Sequence, residues 1–265
     1  MINEEKKLNP ETLSSLRSSW LFTPEKILYL DEASSTNDMA KKMASEGSPE
    51  GTTVIAESQT LGRGRSGRQW ESPKYLGIYF SFILRPDINK ELIPYISMLT
   101  GIAAAEAIKE ETNLDSRMKW PNDILINDKK VCGILVEGST VKDNLEFLIV
   151  GIGVNVNNDF FPGSYLHPPT SLKIEKGHAV SRENILRKLL KKIEIWYYIL
   201  IKQKESYLIL KRCRELSHSI GKNVLIRTGN ETFTGYAMDI DKTGYLILKN
   251  QSGEIIKIPS GEIIS

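Results

Sequence analysis

The segment that most constrains the architecture reads Gly62-Arg63-Gly64-Arg65-Ser66-Gly67-Arg68-Gln69-Trp70. Its glycines satisfy the Gly-x-Gly-x-x-Gly pattern of dinucleotide-binding folds, in which a helix begins at the glycines and points its N-terminus at a pyrophosphate. Here a Ser72-Pro73 turn and an apolar strand pattern at Gly77–Leu84 follow instead of a helix. The segment therefore argues against a Rossmann cofactor site and predicts a loop between strands.

The same loop favours an anionic ligand. It contains three arginines and three glycines, and no acidic residue lies between Glu57 and Glu71. Glycines let backbone N–H groups approach a ligand closely, and guanidinium groups supply fixed, always charged donors for phosphate or carboxylate oxygens. A nucleoside triphosphate suits this combination, and a solvated basic surface loop is the alternative.

Strand and helix patterns around the loop indicate an α+β fold. Helices are predicted over Asp38–Ala44 and over about Leu92–Glu111, the second with a run of small residues that lets it pack closely on a sheet. Several strands with few intervening helices favour a mixed sheet over a doubly wound one. The predicted strands are Ile27–Leu30, Thr52–Ala56, Gly77–Leu84, Arg117–Trp120, Asp123–Ile126, Val131–Val136 and Leu145–Asn155.

The patterns divide the chain into three parts. Residues 1–26 form a polar N-terminal arm, residues 27–217 form the main domain, and residues 218–265 are predicted to form a small separate β-barrel. The main domain ends with a helical block from Arg182 to about Leu216. The arm carries a short helical pattern at Leu13, Leu16 and Trp20. The barrel strands are predicted at Asn223–Arg227, Thr232–Ile240, Tyr245–Lys249 and Glu254–Ile258.

Composition argues against several classes of protein. The 35 basic and 33 acidic side chains leave a formal net charge of +2, so no global field holds a nucleic acid or a membrane surface. No run reaches the roughly 20 apolar residues of a membrane span, and the polar start at residues 1–7 is unlike a secretory signal. We therefore expect a cytoplasmic globular protein without a membrane partner.

Cysteine and histidine residues give no sign of a metal site. Cys132 and Cys213 are expected to be free buried thiols in a reducing compartment. His167, His178 and His218 are isolated in sequence and are expected to be surface or packing residues. No metal ligand is predicted from the protein.

A second chemical signal is Lys119-Trp120-Pro121-Asn122-Asp123, a strand that runs abruptly into a proline turn. A proline beside a lysine at a strand end fixes where the ammonium points. Taken alone, the pattern is typical of a surface lysine followed by a turn that only ends the strand. Joined to the arginine loop, it gives one phosphate-rich substrate two cationic partners.

Two further segments are candidates for ligand contact. In Gly151-Ile152-Gly153-Val154-Asn155-Val156-Asn157, glycines interrupt a strong β pattern, which indicates close approach of a ligand or another backbone, or else a bulge. Ser34-Ser35-Thr36-Asn37 precedes a predicted helix and serves either as its cap or as a set of hydroxyl and amide groups for a neutral polar ring.

Taken in order, these motifs, together with Gln59 and Gly133-Ile134-Leu135-Val136-Glu137, resemble the biotin protein ligase family from about residue 27 to the C-terminus. The resemblance implies a catalytic domain like that of class II aminoacyl-tRNA synthetases, with a mixed sheet flanked by helices, followed by a Src-homology-3-like barrel. It implies ATP-dependent formation of biotinyl-5′-AMP and transfer of biotin to a lysine of a biotin carboxyl carrier protein. Mg²⁺ is expected with the ATP, although no carboxylate cluster identifies its protein ligands.

The resemblance also implies which residues do the work. Lys119 and Arg65 would be catalytic, with Lys119 between the biotin carboxylate and the α-phosphate and Arg65 completing the clamp. Biotin would be held by Ser35, Thr36, Asn37, Gln59, Gly62, Arg63, Gly64, Arg65, Lys119 and Gly133. ATP and the adenylate would be held by Arg65, Arg68, Trp70, Lys119, Asn122, Lys130 and Asn155.

Three further expectations concern DNA binding, the oligomeric state and rival functions. Only some 26 residues precede the resemblance, whereas the longest family members carry an N-terminal helix-turn-helix domain, so DNA binding is not expected. A homodimer is left open. The rival functions are a lipoate or octanoate ligase or transferase of the same fold, and a non-catalytic module whose arginine loop grips nucleic-acid phosphates.

Overall fold

The structure, a computed structural model, describes residues 7–8, 19–142, 144–163 and 165–265. Of the helical pattern predicted in the N-terminal arm, Leu13 and Leu16 lie outside the described residues. Trp20, the third member of that pattern, lies within them.

Seven strands form one mixed sheet in the order β1-β2-β3-β7-β6-β5-β4. Strands β1 and β2 are parallel, and every other neighbouring pair in this sheet is antiparallel. The mixed sheet predicted from the sequence is thereby confirmed. The strands are β1 Ile27–Leu30, β2 Thr53–Ala56, β3 Gly77–Leu84, β4 Arg117–Lys119, β5 Asp123–Ile126, β6 Lys129–Val141 and β7 Asn144–Asn155.

Helices cover both faces of this sheet. Helix α1 packs Ala40 and Ala44 against Val54, Ile83 and Phe147, while the other long helices contribute to the larger cluster on the opposite side. Strand β3 is buried along its whole length, which explains its continuous apolar sequence. The helices are α1 Thr36–Ser45, α2 Ile93–Thr112, α3 Leu172–Lys176, α4 Arg182–Ile201 and α5 Ser206–Leu216.

Helix α2 forms the centre of the larger cluster. A Cβ on Gly101 would lie 2.6 Å from Met118 Cε, so the small residues predicted to allow close packing do so. The described residues contain one helix long and apolar enough to cross a membrane, Lys90–Thr112, which corrects the expectation that no such run exists. Because 67% of its apolar window is buried inside the protein, we assign it to the core.

The C-terminal part forms a five-stranded antiparallel sheet in the order β11-β10-β9-β8-β12. It shares one hydrophobic cluster with the main sheet. Trp120 Nε1 donates to the Gly244 carbonyl at 3.1 Å, and Tyr95 OH donates to the Lys242 carbonyl at 2.8 Å. The strands are β8 Asn223–Thr228, β9 Glu231–Ile240, β10 Leu246–Lys249, β11 Ile255–Ile258 and β12 Glu262–Ile263.

The helical block predicted from Arg182 to Leu216 is wrong in one respect, because it is two helices. The polar run 202–205 between α4 and α5 has no apolar side chain to bury, and Lys204 adopts a φ of 59° there. The turn lets both helices contact α2. Helix α3 and strand β12 were not predicted, since five and two residues are too short to show a period.

Candidate active site

One cavity brings most of the sequence-predicted residues together. It encloses about 360 Å³ where the arginine loop (residues 62–70), the start of α1 and the turn between β4 and β5 meet, and β6, β7 and β12 also line it. The predicted residues on its wall are Ser35, Thr36, Asn37, Gln59, Arg63, Gly64, Arg65, Arg68, Trp70, Lys119, Asn122, Lys130, Gly133 and Asn155.

Gly62 is the predicted ligand contact that does not line the cavity. A Cβ at this position would lie 2.5 Å from the Trp70 carbonyl oxygen and 3.1 Å from Gln59 Nε2. The Trp70 N–H donates to the Gly62 carbonyl at 2.9 Å. Gly62 therefore lets the two ends of the arginine loop close on each other, which is a structural reason for the glycine.

A chain of hydrogen bonds runs along one part of the wall. Gln59 Oε1 accepts from the Thr36 N–H at 2.9 Å and from Thr36 Oγ1 at 3.1 Å, while Thr36 Oγ1 lies 2.7 Å from Ser81 Oγ. Ser81 Oγ donates to Asn37 Oδ1 at 2.6 Å, and Asn37 Nδ2 donates to Glu137 at 2.7 Å. Ser81 was missed in the sequence, where it is one position in an apolar strand.

The direction of this chain determines what Thr36 offers a ligand. The Glu137 carboxylate only accepts, so the Asn37 amide turns its oxygen toward Ser81, and Ser81 must donate to it. Both protein neighbours of Thr36 Oγ1 are then acceptors. The Thr36 hydroxyl therefore donates its hydrogen bond to a protein acceptor, and its free lone pair can accept from a ligand N–H.

Ser35 caps helix α1, as one of the two readings of its motif predicts. Its Oγ accepts from the Asp38 N–H at 3.4 Å. The residue is buried and also lines the cavity, so capping and ligand contact are compatible.

The glycines of the Gly151–Asn157 segment make room for side chains. A Cβ on Gly151 would lie 1.9 Å from Asn37 Oδ1, and a Cβ on Gly153 would lie 2.4 Å from Trp70 Cε2. Residues 77–84 and 148–155 pair without a register shift, so the alternative of a bulge in that pairing is wrong. Close approach of neighbouring side chains explains both glycines.

The three arginines of the loop point to different partners. Arg63 binds Glu137 Oε2 at 2.9 Å and also pairs with Asp38, so its guanidinium is neutralised at the cavity mouth. Arg68 forms an ion pair with Glu262. Arg65 is half-buried and donates only to neutral oxygens among the described residues, Asn122 Oδ1 at 3.1 Å and the Gly261 carbonyl at 3.2 Å.

The arginine loop makes a tight turn between Arg65 and Arg68. A short 3₁₀ turn spans Arg65–Gly67, with Ser66 at a φ of 55° and Gly67 at 73°. Glycine adopts such positive φ values without steric cost. Arg65 is thereby half-buried against the C-terminal sheet, and the exposed Arg68 pairs with Glu262 of that sheet, which disfavours the alternative of a loop that is only solvated.

Lys119 is the second cation of the cavity. Only 8% of the residue is exposed, and this burial lowers the pKa of its ammonium to about 8. Nζ lies 2.7 Å from His167 Nε2 and 3.1 Å from His167 Nδ1. Within the part of the chain that the structure describes, neither Lys119 nor Arg65 forms an ion pair with a carboxylate. Two desolvated cations without counter-ions favour binding of an anion.

Trp70 and Lys130 form another part of the wall. Lys130 Nζ lies 5.4 Å from the centre of the Trp70 ring and 2.7 Å from Asp123 Oδ1, an ion pair without hydrogen-bond geometry. Trp70 Nε1 is buried and has no hydrogen-bond partner among the described residues. A ligand acceptor at this position would satisfy it.

The amides of Asn122 and Asn155 are already engaged by backbone. Asn122 Nδ2 donates to the Ile134 carbonyl at 2.7 Å, and Asn155 Nδ2 donates to the Thr170 carbonyl at 3.0 Å. The side-chain oxygen of Asn122 accepts from Arg65 Nη1 at 3.1 Å.

His167 and Glu262 are among the cavity residues that sequence reasoning missed. Sequence reasoning gave His167 no place in the site, whereas the half-buried ring lines the cavity beside Lys119. Glu262 comes from the C-terminal sheet and pairs with Arg68. Each is far in sequence from its partner, so only the topology brings them together. No group of three potential metal ligands occurs in the described ranges.

The sequence and fold of the chain are similar to those of biotin protein ligases. The biotin/lipoate A/B protein ligase family matches residues 29–155, and the biotin protein ligase C-terminal domain matches residues 219–264. The bifunctional ligase/repressor BirA of Bacillus subtilis (strain 168) is 39% identical over 241 residues, covering 89% of this chain and 73% of the relative.

A second sequence relative and a solved structure point to the same family. The biotin–[acetyl-CoA-carboxylase] ligase of Paracoccus denitrificans is 32% identical over 244 residues, covering 88% of this chain and 98% of the relative. The solved biotin protein ligase from Aquifex aeolicus in complex with biotin and ATP superimposes with a TM-score of 0.77 at 31% identity, covering 89% of this chain and 97% of that one. The chain belongs to the biotin protein ligase family.

Proposed function

We propose that this chain activates biotin with ATP and transfers it to a lysine of a biotin carboxyl carrier protein. In the first step a biotin carboxylate oxygen attacks the α-phosphorus, and pyrophosphate leaves. In the second step the lysine amine attacks the carbonyl carbon of biotinyl-5′-AMP, and AMP leaves. The supporting observation is that Lys119 and Arg65, two cations without carboxylate partners in the described residues, line one cavity with the Thr36 hydroxyl, which can only accept from a ligand.

The wall around Thr36 suits the ureido ring of biotin. Thr36 Oγ1 presents a lone pair to a ring N–H, and Gln59 holds the hydroxyl in place. Lipoic acid has no N–H on its ring, so it would leave this buried acceptor without a partner. Ser35, Asn37, Gly133 and the backbone of Arg63-Gly64-Arg65 would complete the biotin site.

The cations would stabilise the reaction centre. Two anions, the biotin carboxylate and the α-phosphate, must approach each other, and the transition state spreads negative charge over the oxygens of the phosphorus. Lys119 and Arg65 would offset that charge, and electrostatic stabilisation of this kind is usually the largest single catalytic term. We assign adenylate contacts to Arg68, Trp70, Asn122, Lys130 and Asn155.

Magnesium would arrive with the ATP phosphates. The cavity carboxylates Asp123 and Glu262 are paired with Lys130 and Arg68, and the described residues contain no cluster that would cage a metal. An ion held chiefly by phosphates and water fits that arrangement.

The proposal includes the cellular compartment and the division of the chain into two units. Cys132 and Cys213 are buried free thiols, which supports a reducing compartment such as the cytoplasm. We also propose residues 27–217 as the catalytic unit and residues 218–265 as the C-terminal unit that supplies Glu262 to the cavity.

A competition between acids tests the proposal. The protein is incubated with ATP, Mg²⁺, an apo carrier domain and either biotin or lipoate, and modification of the carrier is followed by mass spectrometry. A carrier with its acceptor lysine replaced by arginine is the control. We expect biotin to be preferred by at least about 100-fold, because the site is built to satisfy an N–H donor. Transfer of lipoate but not of biotin would overturn the proposal.

A further inference from the structure

We infer that His167 is the general base of the transfer step: it takes a proton from the acceptor lysine before the amine attacks biotinyl-5′-AMP. This inference rests on the proposed function. It assigns a catalytic role to a residue that the first chemical step does not need.

The location of His167 is the first argument. Its Nε2 lies 2.7 Å from Lys119 Nζ, the group that we place at the junction of carboxylate and phosphate. An ammonium can only donate, so the ring nitrogen that accepts from it carries no proton. When Lys119 turns to the bound anions, this nitrogen is released beside the carbonyl carbon that the acceptor amine must reach.

The backbone holds the ring at this position. Two prolines follow His167, and the Lys130 N–H donates to the Pro168 carbonyl at 2.8 Å. The Thr170 N–H donates to the Lys130 carbonyl at 2.8 Å. Proline restricts the backbone of the residue before it, and these two hydrogen bonds tie the segment that directly follows His167 to β6.

Burial, together with the neighbouring cations, keeps the imidazole neutral. Burial lowers the pKa of His167, and the neighbouring ammonium of Lys119 lowers it further, with a smaller contribution from Lys130. Asp123 and Glu262 act in the opposite direction, but each is itself paired with a cation. The net effect is a pKa below that of a free histidine, so the ring can accept a proton at pH 7.

The carboxylates of the cavity are poorer candidates for this proton. Asp123 faces Lys130 and Glu262 faces Arg68, and the remaining lining carboxylate, Glu71, interacts with the Tyr165 hydroxyl. Each of these three carboxylates therefore already has a cation or a hydroxyl as its partner. A neutral imidazole has a higher proton affinity than a paired carboxylate near neutral pH.

The acceptor lysine must lose a proton before its amine can attack, which is why a general base is needed. A lysine ammonium with a pKa of about 10.4 is neutral in only about one molecule in a thousand at pH 7. In the proposed step the imidazole takes one proton, and the amine nitrogen forms a bond to the carbonyl carbon. The bond from that carbon to the phosphate oxygen breaks, and AMP leaves with the electron pair. The second amine proton passes to solvent as the amide forms.

The test separates proton removal from every other part of the reaction. The protein is preloaded with biotinyl-5′-AMP, so adenylate formation does not enter the measured rate. Transfer is then followed to the apo carrier domain, whose lysine is an ammonium, and to hydroxylamine, which is already neutral at pH 7. The variants are His167→Gln and, as a matched control, His178→Gln on the exposed surface.

For His167→Gln we expect transfer to the carrier to fall by about 100- to 1000-fold, as for loss of a general base. Transfer to hydroxylamine should stay within about twofold of the wild type. The residual rate with the carrier should rise about tenfold per pH unit, since it depends on free amine, whereas the wild-type profile should flatten above the pKa of the histidine. His178→Gln should match the wild type with both acceptors.

Three results would overturn the inference. They are a normal rate with the carrier, an equal loss with both acceptors, and an unchanged pH profile. Should His167→Gln unfold, His167→Ala with added imidazole replaces it, and restoration of carrier transfer by imidazole supports the role while its absence contradicts it. If the wild type forms no adenylate, the proposed function itself fails, which is a distinct outcome.

Discussion

Lys119→Ala should reduce the rate of adenylate formation by about 100- to 1000-fold, as does removal of one preorganised donor from a developing oxyanion. Lys119 is buried at the end of β4 and, with its pKa at about 8, stays largely protonated at pH 7. Its charge is therefore available to the carboxylate and the α-phosphate together. Release of pyrophosphate in a single turnover measures the effect.

The control for this variant is Lys129→Ala, whose ammonium pairs with Glu175 and does not line the cavity. It should retain the wild-type rate. Thermal unfolding of the ligand-free protein should show no loss of stability for Lys119→Ala, because burial disfavours the charged ammonium that the change removes. A normal rate of pyrophosphate release would contradict the role of Lys119.

Arg65→Ala should produce the second large effect, on retention of the adenylate. The guanidinium is half-buried and bound to two neutral oxygens, so it can shift to a phosphate without breaking an ion pair. Loss of hydrogen bonds to a charged group costs about 1.5–3 kcal/mol, which corresponds to about 10- to 150-fold in an equilibrium constant. We expect biotinyl-5′-AMP to dissociate faster by that factor, measured by chase with excess biotin.

Arg117→Ala is the matched control, since Arg117 is an arginine outside the cavity whose Nε binds Asp115. It should release the adenylate at the wild-type rate. Should Arg65→Ala hold the adenylate as firmly as the wild type, Arg65 would not belong to the clamp.

Much of the fold could be predicted because its strongest signals are local. Strand β3 has the predicted bounds Gly77–Leu84, since an apolar run buried on both faces needs no partner to be recognised. The polar run 202–205 does not by itself reveal a break within a helical pattern, because the turn there depends on how α4 and α5 both pack on α2. Such tertiary constraints leave little trace in a window of sequence.

In the candidate site, too, residues in short local motifs could be predicted, whereas residues brought together by the tertiary fold could not. Arg65 and Lys119 belong to short motifs whose composition indicates anion binding, and they line one cavity. Ser81 and His167 contribute single side chains from a buried strand and an irregular segment, so no spacing marks them. Gly62 was assigned to the ligand because of its motif, whereas the contact it allows is with Trp70.

The most direct test of the central claim is a crystal structure with a biotinyl-5′-AMP analogue whose anhydride is replaced by a stable sulfamoyl linkage. We predict Lys119 Nζ and an Arg65 guanidinium nitrogen within about 3.2 Å of oxygens at the acyl–phosphate junction. An analogue bound with either cation turned to a different surface, leaving the junction without it, would contradict the account.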